Sequence, residues 1–155
     1  MTNAKETTVE RRVRIDAPVG TVWNVLSQEG LGSFHLLREL GEMRLKEGGR
    51  IAWHDPERPE SPARITGRIT VVSPPRRISL MAYLPGGGLP DEPENYTSID
   101  IMLRSEDDGR TEVIVEEGDF ARHPHGPRLA KQAGDRWVEA LIRLKDRVEH
   151  LAAAA

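Results

Sequence analysis

The strongest constraint on the fold is an apolar stripe near the C-terminus. Its large side chains are spaced four, three, four and three residues apart: Trp137, Leu141, Leu144, Val148 and Leu151. Only a helix presents this spacing on one face, so the pattern predicts a long helix from about Ala130 or Asp135 to about Leu151, in which Leu144, Val148 and Leu151 are purely structural. Such a stripe has to be buried against another apolar surface, which the rest of the chain must supply.

Upstream of the predicted helix, apolar and polar residues alternate in short runs. The runs cover 9–15, 51–53, 65–71, 78–82, 99–103 and 113–117, with a further short one at Met43 and Leu45. This period of two is typical of strands with one buried face. Turn residues separate the runs at Gly48-Gly49, Ser73-Pro74-Pro75 and Asp107-Asp108-Gly109. The pattern therefore predicts successive hairpins and an antiparallel sheet.

Two short helices are expected between the first strand and these hairpins. Pro18 suits the first turn of a helix that ends near Ser27 and carries Trp23, and a second helical or irregular piece follows at 31–37 around Phe34. The element order predicts an α+β fold in which the antiparallel sheet packs on the C-terminal helix. No repeat or linker divides the chain, so we expect one domain over 8–151, with flexible termini at 1–7 and 152–155.

Composition excludes several classes of function. The 155 residues contain no cysteine, which rules out disulfides, thiol catalysis and cysteine-ligated metals. The net charge is −3 with both signs interleaved, whereas a nucleic-acid binder normally shows a basic stripe. Neither a signal peptide nor a membrane-spanning apolar run is present, so no membrane insertion and a cytoplasmic location are expected. Arginine outnumbers lysine 18 to 4, which suggests a GC-rich bacterial genome.

Catalytic and cofactor motifs are absent from the sequence. There is no Gly-x-Ser-x-Gly element, and Gly86-Gly87-Gly88 lacks the lysine of a phosphate-binding loop. His123 and His125 have a chelating spacing, but Asp119 is the only carboxylate near them, which favours adventitious over functional metal binding. We therefore predict no metal and no cofactor.

Two polar strand residues could face the interior. Glu117 has the phase of Val113 and Val115, so it either points into the concave side of the sheet or has already reached solvent at the strand end. His54 is exposed if Trp53 belongs to the core and faces the interior if the sheet face is reversed. Glu112 and Glu116 have the opposite phase to Glu117 and predict a solvated face.

Several segments, in this order, resemble the START and Bet v 1-like superfamily. They are 13–18 followed by Val22-Trp23, 48–53, 67–69 with 72–78, 109–120, and Trp137 with Leu141 and Leu144-Lys145. Together they are most similar to the branch of the activator of the 90-kDa heat-shock protein ATPase. The resemblance implies a helix-grip fold, in which a curved antiparallel sheet wraps a long C-terminal helix and leaves a cavity between them.

The resemblance also implies a function. Members of the superfamily bind lipids, sterols or polyketides, some are aromatase/cyclases, and relatives in antibiotic gene clusters handle reactive natural products. We therefore expect a binding protein for a hydrophobic or polycyclic ligand, in natural-product biosynthesis or resistance. The alternatives are a cyclase or aromatase, in which Tyr83, His54 or Glu117 moves protons, and a stress-related co-chaperone-like protein. The heat-shock activator has a further N-terminal domain that docks the chaperone, so no chaperone partner is expected for 155 residues.

The residues expected to contact the ligand are mostly the aromatic ones. The full set is Trp23, Phe34, Trp53, Met81, Tyr83, Tyr96, Glu117, Phe120, Trp137 and Leu141. The stretch 84–94 contains three prolines and three consecutive glycines. Its length and composition predict a mobile flap, and the tyrosines at its two ends make it the expected gate of the cavity.

Overall fold

The computed structural model describes residues 4–29, 46–54, 58 and 60–154. Three helices and six strands follow in the order α1 (Ala4–Thr7), β1 (Val9–Ile15), α2 (Val19–Glu29), β2 (Arg50–Trp53), β3 (Ile65–Ser73), β4 (Arg77–Tyr83), β5 (Thr97–Ser105), β6 (Thr111–Gly118) and α3 (Gly126–Ala154). A short 3-10 turn, Pro93–Asn95, precedes β5. The expected second helix with Phe34 and the strand at Met43 and Leu45 lie outside the described residues.

The six strands form one antiparallel sheet in the order β1-β6-β5-β4-β3-β2. Strands β2 to β6 are joined to their chain neighbours as hairpins, as the alternation predicts. The first strand closes the other side of the sheet by pairing with the last, from Val9 opposite Glu117 to Ile15 opposite Thr111. This long-range pairing brings the N-terminus beside the strand that leads into α3.

Helix α3 covers the inner face of the sheet, which confirms the α+β helix-grip architecture. Ala133, Trp137, Leu144 and Val148 are at most 2% exposed. The helix is longer than predicted at both ends, because its first turn is buried at Gly126 and the C-terminal alanines continue it. Leu151 is 36% exposed, so its assignment to the core is wrong; it belongs to the last turns, where fewer neighbours surround the helix.

One glycine of α3 makes room for a charged side chain from the sheet. Arg11 has the inward phase of Val9 and Val13, and a methyl group added at Gly134 would lie 2.3 Å from its Nη2 atom. The Arg11 guanidinium therefore lies against the helix backbone at Gly134. None of the helices in the described ranges is long and apolar enough to cross a membrane.

Candidate functional site

The buried carboxyl group of Glu117 is the most unusual feature of the interior. Glu117 has the phase of Val113 and Val115 on β6, and it lies between Val9 of β1 and Ile99 of β5 on the inner face. Only 3% of the residue is exposed. Of the two sequence-based alternatives, the inward one is therefore the one observed.

Helix α3 provides one partner for this carboxyl group and leaves one oxygen without any. The indole Nε1–H of Trp137 donates a 2.8 Å hydrogen bond to Glu117 Oε1. Glu117 Oε2 is buried and has no hydrogen-bond partner in the part of the chain that is described. The Trp137 ring also meets the ring of Trp53 edge to face, with centroids 6.2 Å apart and planes at 81°. The site therefore combines two indole rings with one half-satisfied acid.

Burial and charge act on this acid in opposite directions. Burial raises the pKa of Glu117, while the Trp137 hydrogen bond and the charge of Arg136 partly lower it. Arg136 is half-buried, and burial lowers the pKa of its guanidinium, an effect that Glu117 opposes and the nearby Arg64 reinforces. Sequence reasoning missed both arginines; the only signal was that Arg136 directly precedes Trp137 at the start of the apolar stripe.

Other predicted contact residues belong to the same core. Trp23 on α2 is 9% exposed, Leu141 on α3 is 2% exposed, and Phe120, just after β6, is fully buried. All three join Trp53 and Trp137 in a single apolar cluster. The structure thus brings these five residues together around the inner face of the sheet, and Phe34 lies outside the described residues.

Met81, Tyr83 and Tyr96 are not in that interior. Met81 and Tyr83 alternate with the fully buried Ala82, so they have the outward phase of β4, and Tyr96 has the outward phase at the start of β5. The two tyrosine rings stack on each other with centroids 5.5 Å apart. The expectation that these three residues line the space beneath α3 is therefore wrong, because the strand period turns them to the opposite face.

The tyrosines instead hold the connection between β4 and β5. Tyr83 donates a 2.7 Å hydrogen bond to the carbonyl oxygen of Leu89, and Tyr96 donates one of 2.5 Å to Asp91. A methyl group at Gly87 would lie 3.1 Å from the ring of His123, so this connection also packs on the segment that precedes α3. The predicted flap is therefore bonded to both tyrosines that flank it and packs on the segment before α3.

Among the described residues, His54 and His123 lie apart from Glu117. Trp53 is 2% exposed and belongs to the core, so the next residue, His54, points away from the interior. On that outer side, His54 Nδ1 lies 2.8 Å from the Ser61 carbonyl oxygen. His123 is buried against Phe120, and burial lowers its pKa. Within the described ranges, no group of three or more potential ligands is placed to hold a metal ion.

A shallow depression of about 400 Å³ lies on the outer face of the sheet. Three acids with the outward phase line it, Glu10, Asp100 and Glu116, which are paired across β1, β6 and β5, and Glu117 borders it as well. Arg12 binds Glu10 at 2.7 Å. Burial acts to raise the pKa of Asp100, but hydrogen bonds from Ser79 and Arg77 outweigh it and the pKa is lowered. Two of the three acids are therefore engaged within the protein.

Sequence comparison identifies the family. The model of the family described as "Activator of Hsp90 ATPase homolog 1-like protein" matches residues 16–149, which include strands β2 to β6, Glu117 and most of α3. The chain belongs to this family. No curated protein matches the sequence.

Solved structures of other proteins share the fold at low sequence identity. A protein from Mesorhizobium loti aligns with a TM-score of 0.68 at 17% identity, covering 92% of this chain and 97% of its own. CalU16 from Micromonospora echinospora aligns with a TM-score of 0.61 at 20% identity, and the alignment covers 95% of this chain and 86% of CalU16. The Aha1 protein from Colwellia psychrerythraea, solved as a dimer, aligns with a TM-score of 0.61 at 15% identity. The alignment covers 92% of this chain and 96% of the Aha1 chain.

Proposed function

We propose that the protein binds a small apolar or polycyclic molecule between the inner face of the sheet and α3. The observation that carries this proposal is the buried, unpartnered Oε2 of Glu117 beside the rings of Trp53 and Trp137. A buried polar atom without a partner costs about 1–3 kcal/mol, and a bound molecule that satisfies it would recover that cost. Apolar and aromatic walls with a few polar groups are the usual composition of small-molecule sites.

The structural relatives support a natural-product ligand. CalU16 shares the fold, and so does DynU16, which is described as a protein of the dynemicin biosynthetic locus and aligns with a TM-score of 0.65 at 18% identity. This chain covers 47% of DynU16. At such identities the likeness extends to the fold alone, so a role in natural-product biosynthesis or resistance is part of this proposal.

Titration with an uncharged fluorescent probe tests the binding function. N-phenyl-1-naphthylamine is apolar and polycyclic, and it brightens when it leaves water. We expect saturable binding to one site with quenching of tryptophan emission, weakening in Trp137→Phe and no change in the outer-face variant Met81→Ala. Absence of saturable binding up to the solubility limit of the probe would overturn the proposal, and equal effects of the two variants would place the site elsewhere.

A cyclase or aromatase is the second candidate, and Glu117 is the observation that favours it. A carboxyl group whose pKa is raised by burial can hold and release a proton closer to neutral pH. Tyr83 and His54, the other candidate acids and bases, lie away from it, so Glu117 would act alone. Incubation with a linear poly-β-ketone followed by mass spectrometry tests this: Glu117→Gln should retain binding and lose the cyclised product, whereas an unchanged product profile would contradict it.

A further inference from the structure

We propose that the ligand presents a hydroxyl group to Oε2 of Glu117, so that hydroxylated ring compounds are the class that the interior selects. This inference rests on the proposed binding function and adds the polar group by which the ligand is recognised. Three features support it: the fixed orientation of the buried carboxyl group, the commitment of nearby hydroxyls to other acceptors, and the ability of a hydroxyl both to donate and to accept.

The carboxyl group of Glu117 is held in one orientation. Its Oε1 atom accepts the 2.8 Å hydrogen bond from Trp137 Nε1 on α3, while Val9 and Ile99 lie opposite it on the two neighbouring strands. Both of these side chains are apolar, so neither can serve the second oxygen. No residue within the described ranges forms a hydrogen bond to Oε2. A ligand atom that reaches Oε2 would therefore find one hydrogen-bonding position open.

Two buried hydroxyl groups of the sheet are committed to other acceptors. Thr97 lies two residues before Ile99 on the same face of β5, and its Oγ1 donates to the Ala82 carbonyl oxygen at 3.5 Å. Thr111 at the start of β6 is fully buried and donates to the Ala17 carbonyl oxygen at 2.8 Å. Buried polar groups are normally satisfied in this way, and an orphaned buried acceptor is uncommon. The position at Oε2 is therefore open to a hydroxyl that the ligand brings.

A hydroxyl group fits Oε2 in either protonation state of the carboxyl group. An ionised carboxylate only accepts hydrogen bonds, whereas a protonated one also donates, and a hydroxyl both donates and accepts. An ammonium group needs the ionised form of Glu117, and an ether oxygen needs the protonated form. The positive charge of Arg136, which acts on Glu117, further disfavours an ammonium group beside it. A hydroxyl is therefore the smallest group whose binding requires no particular state of Glu117.

The hydroxyl and Oε2 each need the other once water is excluded. A buried hydroxyl without a partner is unfavourable for the same reason as the unpartnered oxygen of Glu117, so the two satisfy each other when they meet. A ligand with a methyl group at the same position leaves Oε2 unsatisfied. Transfer out of water alone favours the methyl compound, because it has no hydrogen bonds to lose. The inference therefore predicts the reverse of the order that a purely apolar cavity would give.

Two ring compounds of nearly the same shape, 2-naphthol and 2-methylnaphthalene, test this order. Both are uncharged at neutral pH, and their affinities follow from displacement of N-phenyl-1-naphthylamine. We expect the intact protein to bind 2-naphthol about tenfold more tightly than 2-methylnaphthalene, through one additional hydrogen bond. Glu117→Leu should reverse the order. The control Glu116→Leu, which removes the neighbouring outward acid of β6, should leave the order unchanged.

A measurement on the intact protein keeps the test valid if Glu117→Leu does not fold. The side-chain carboxyl carbon signal of Glu117 should move further with 2-naphthol than with 2-methylnaphthalene, because only the hydroxyl bonds to Oε2. Equal carbon shifts, a 2-methylnaphthalene complex at least as tight as that of 2-naphthol, displacement by neither compound, or a 2-naphthol preference that survives Glu117→Leu would overturn the inference while N-phenyl-1-naphthylamine still reports binding. If that probe does not bind, the proposed function itself fails.

Discussion

Replacement of Trp137 by phenylalanine tests the polar contact at the centre of the fold. Trp137 is 1% exposed, and its indole nitrogen provides the 2.8 Å hydrogen bond to Glu117 Oε1. Phenylalanine keeps an aromatic ring against Trp53 but has no donor. The variant therefore leaves both carboxyl oxygens of Glu117 without a partner inside the protein.

Two contributions set the expected loss of unfolding free energy in Trp137→Phe. Loss of a hydrogen bond to a charged group costs about 1.5–3 kcal/mol. The smaller ring also leaves a void, which adds roughly 1 kcal/mol at about 24 cal/mol per Å³. We therefore expect Trp137→Phe to lower the free energy of unfolding by about 2.5–4 kcal/mol at neutral pH.

The loss should depend on pH. The folded-state pKa of Glu117 is raised above its ordinary value of 4.5, so its contribution to stability is fully present below that value and is lost as the pH rises through the folded pKa. The Trp137 hydrogen bond limits this loss by holding the pKa lower. Without it the pKa rises further, and the difference between variant and wild type should widen from pH 5 to pH 8.

Urea unfolding followed by far-ultraviolet circular dichroism at the two pH values provides the assay. Trp23→Phe is the matched control, because it removes the same ring atoms from a buried indole that is not bound to Glu117. If both variants lose the same stability, and neither loss changes between pH 5 and pH 8, the reasoning about the carboxyl group is refuted.

Three further predictions, one of them with a control variant, test other parts of the structure. Glu117→Gln should unfold at higher urea concentration than wild type at pH 8 and should lose the decline in stability with rising pH; a parallel decline would contradict the burial argument. Gly67→Ala should lower the free energy of unfolding by at least about 2 kcal/mol, because its methyl group would lie 2.0 Å from the Met81 carbonyl oxygen. The control Gly86→Ala has open space around the added methyl group and should change that free energy by less than about 1 kcal/mol. Tyr83→Phe should lose about 1 kcal/mol and speed amide exchange between β4 and β5, and unchanged exchange would show that the tyrosine does not hold that connection.

The periodicity of the sequence predicted most of the fold. The spacing from Trp137 to Val148 placed α3 against the sheet, and the alternation at Val113, Val115 and Glu117 left two positions for the acid, inward or in solvent at the strand end. These features are local, so a short stretch of sequence contains all the information they need.

The site could be predicted only in part, because it depends on long-range contacts. Nothing near Glu117 in the sequence shows that Trp137, twenty residues later, donates to it, or that the charge of Arg136 acts on it. Leu80 and Ala82 give the outward phase of Tyr83, whereas its position at the end of the Gly- and Pro-rich stretch 84–94 favoured a place at the mouth of the cavity. The bonds that order the connection after Tyr83 require the folded geometry.

The most direct test of ligand binding under α3 is a nitrogen–proton NMR titration with N-phenyl-1-naphthylamine. The account predicts that the indole signals of Trp53 and Trp137 shift together with one saturable affinity, while the methyl signal of Met81 on the outer face, followed in a parallel carbon–proton spectrum, stays in place. A saturable shift of Met81 with both indole signals unmoved would contradict it, because the probe would then occupy the other side of the sheet.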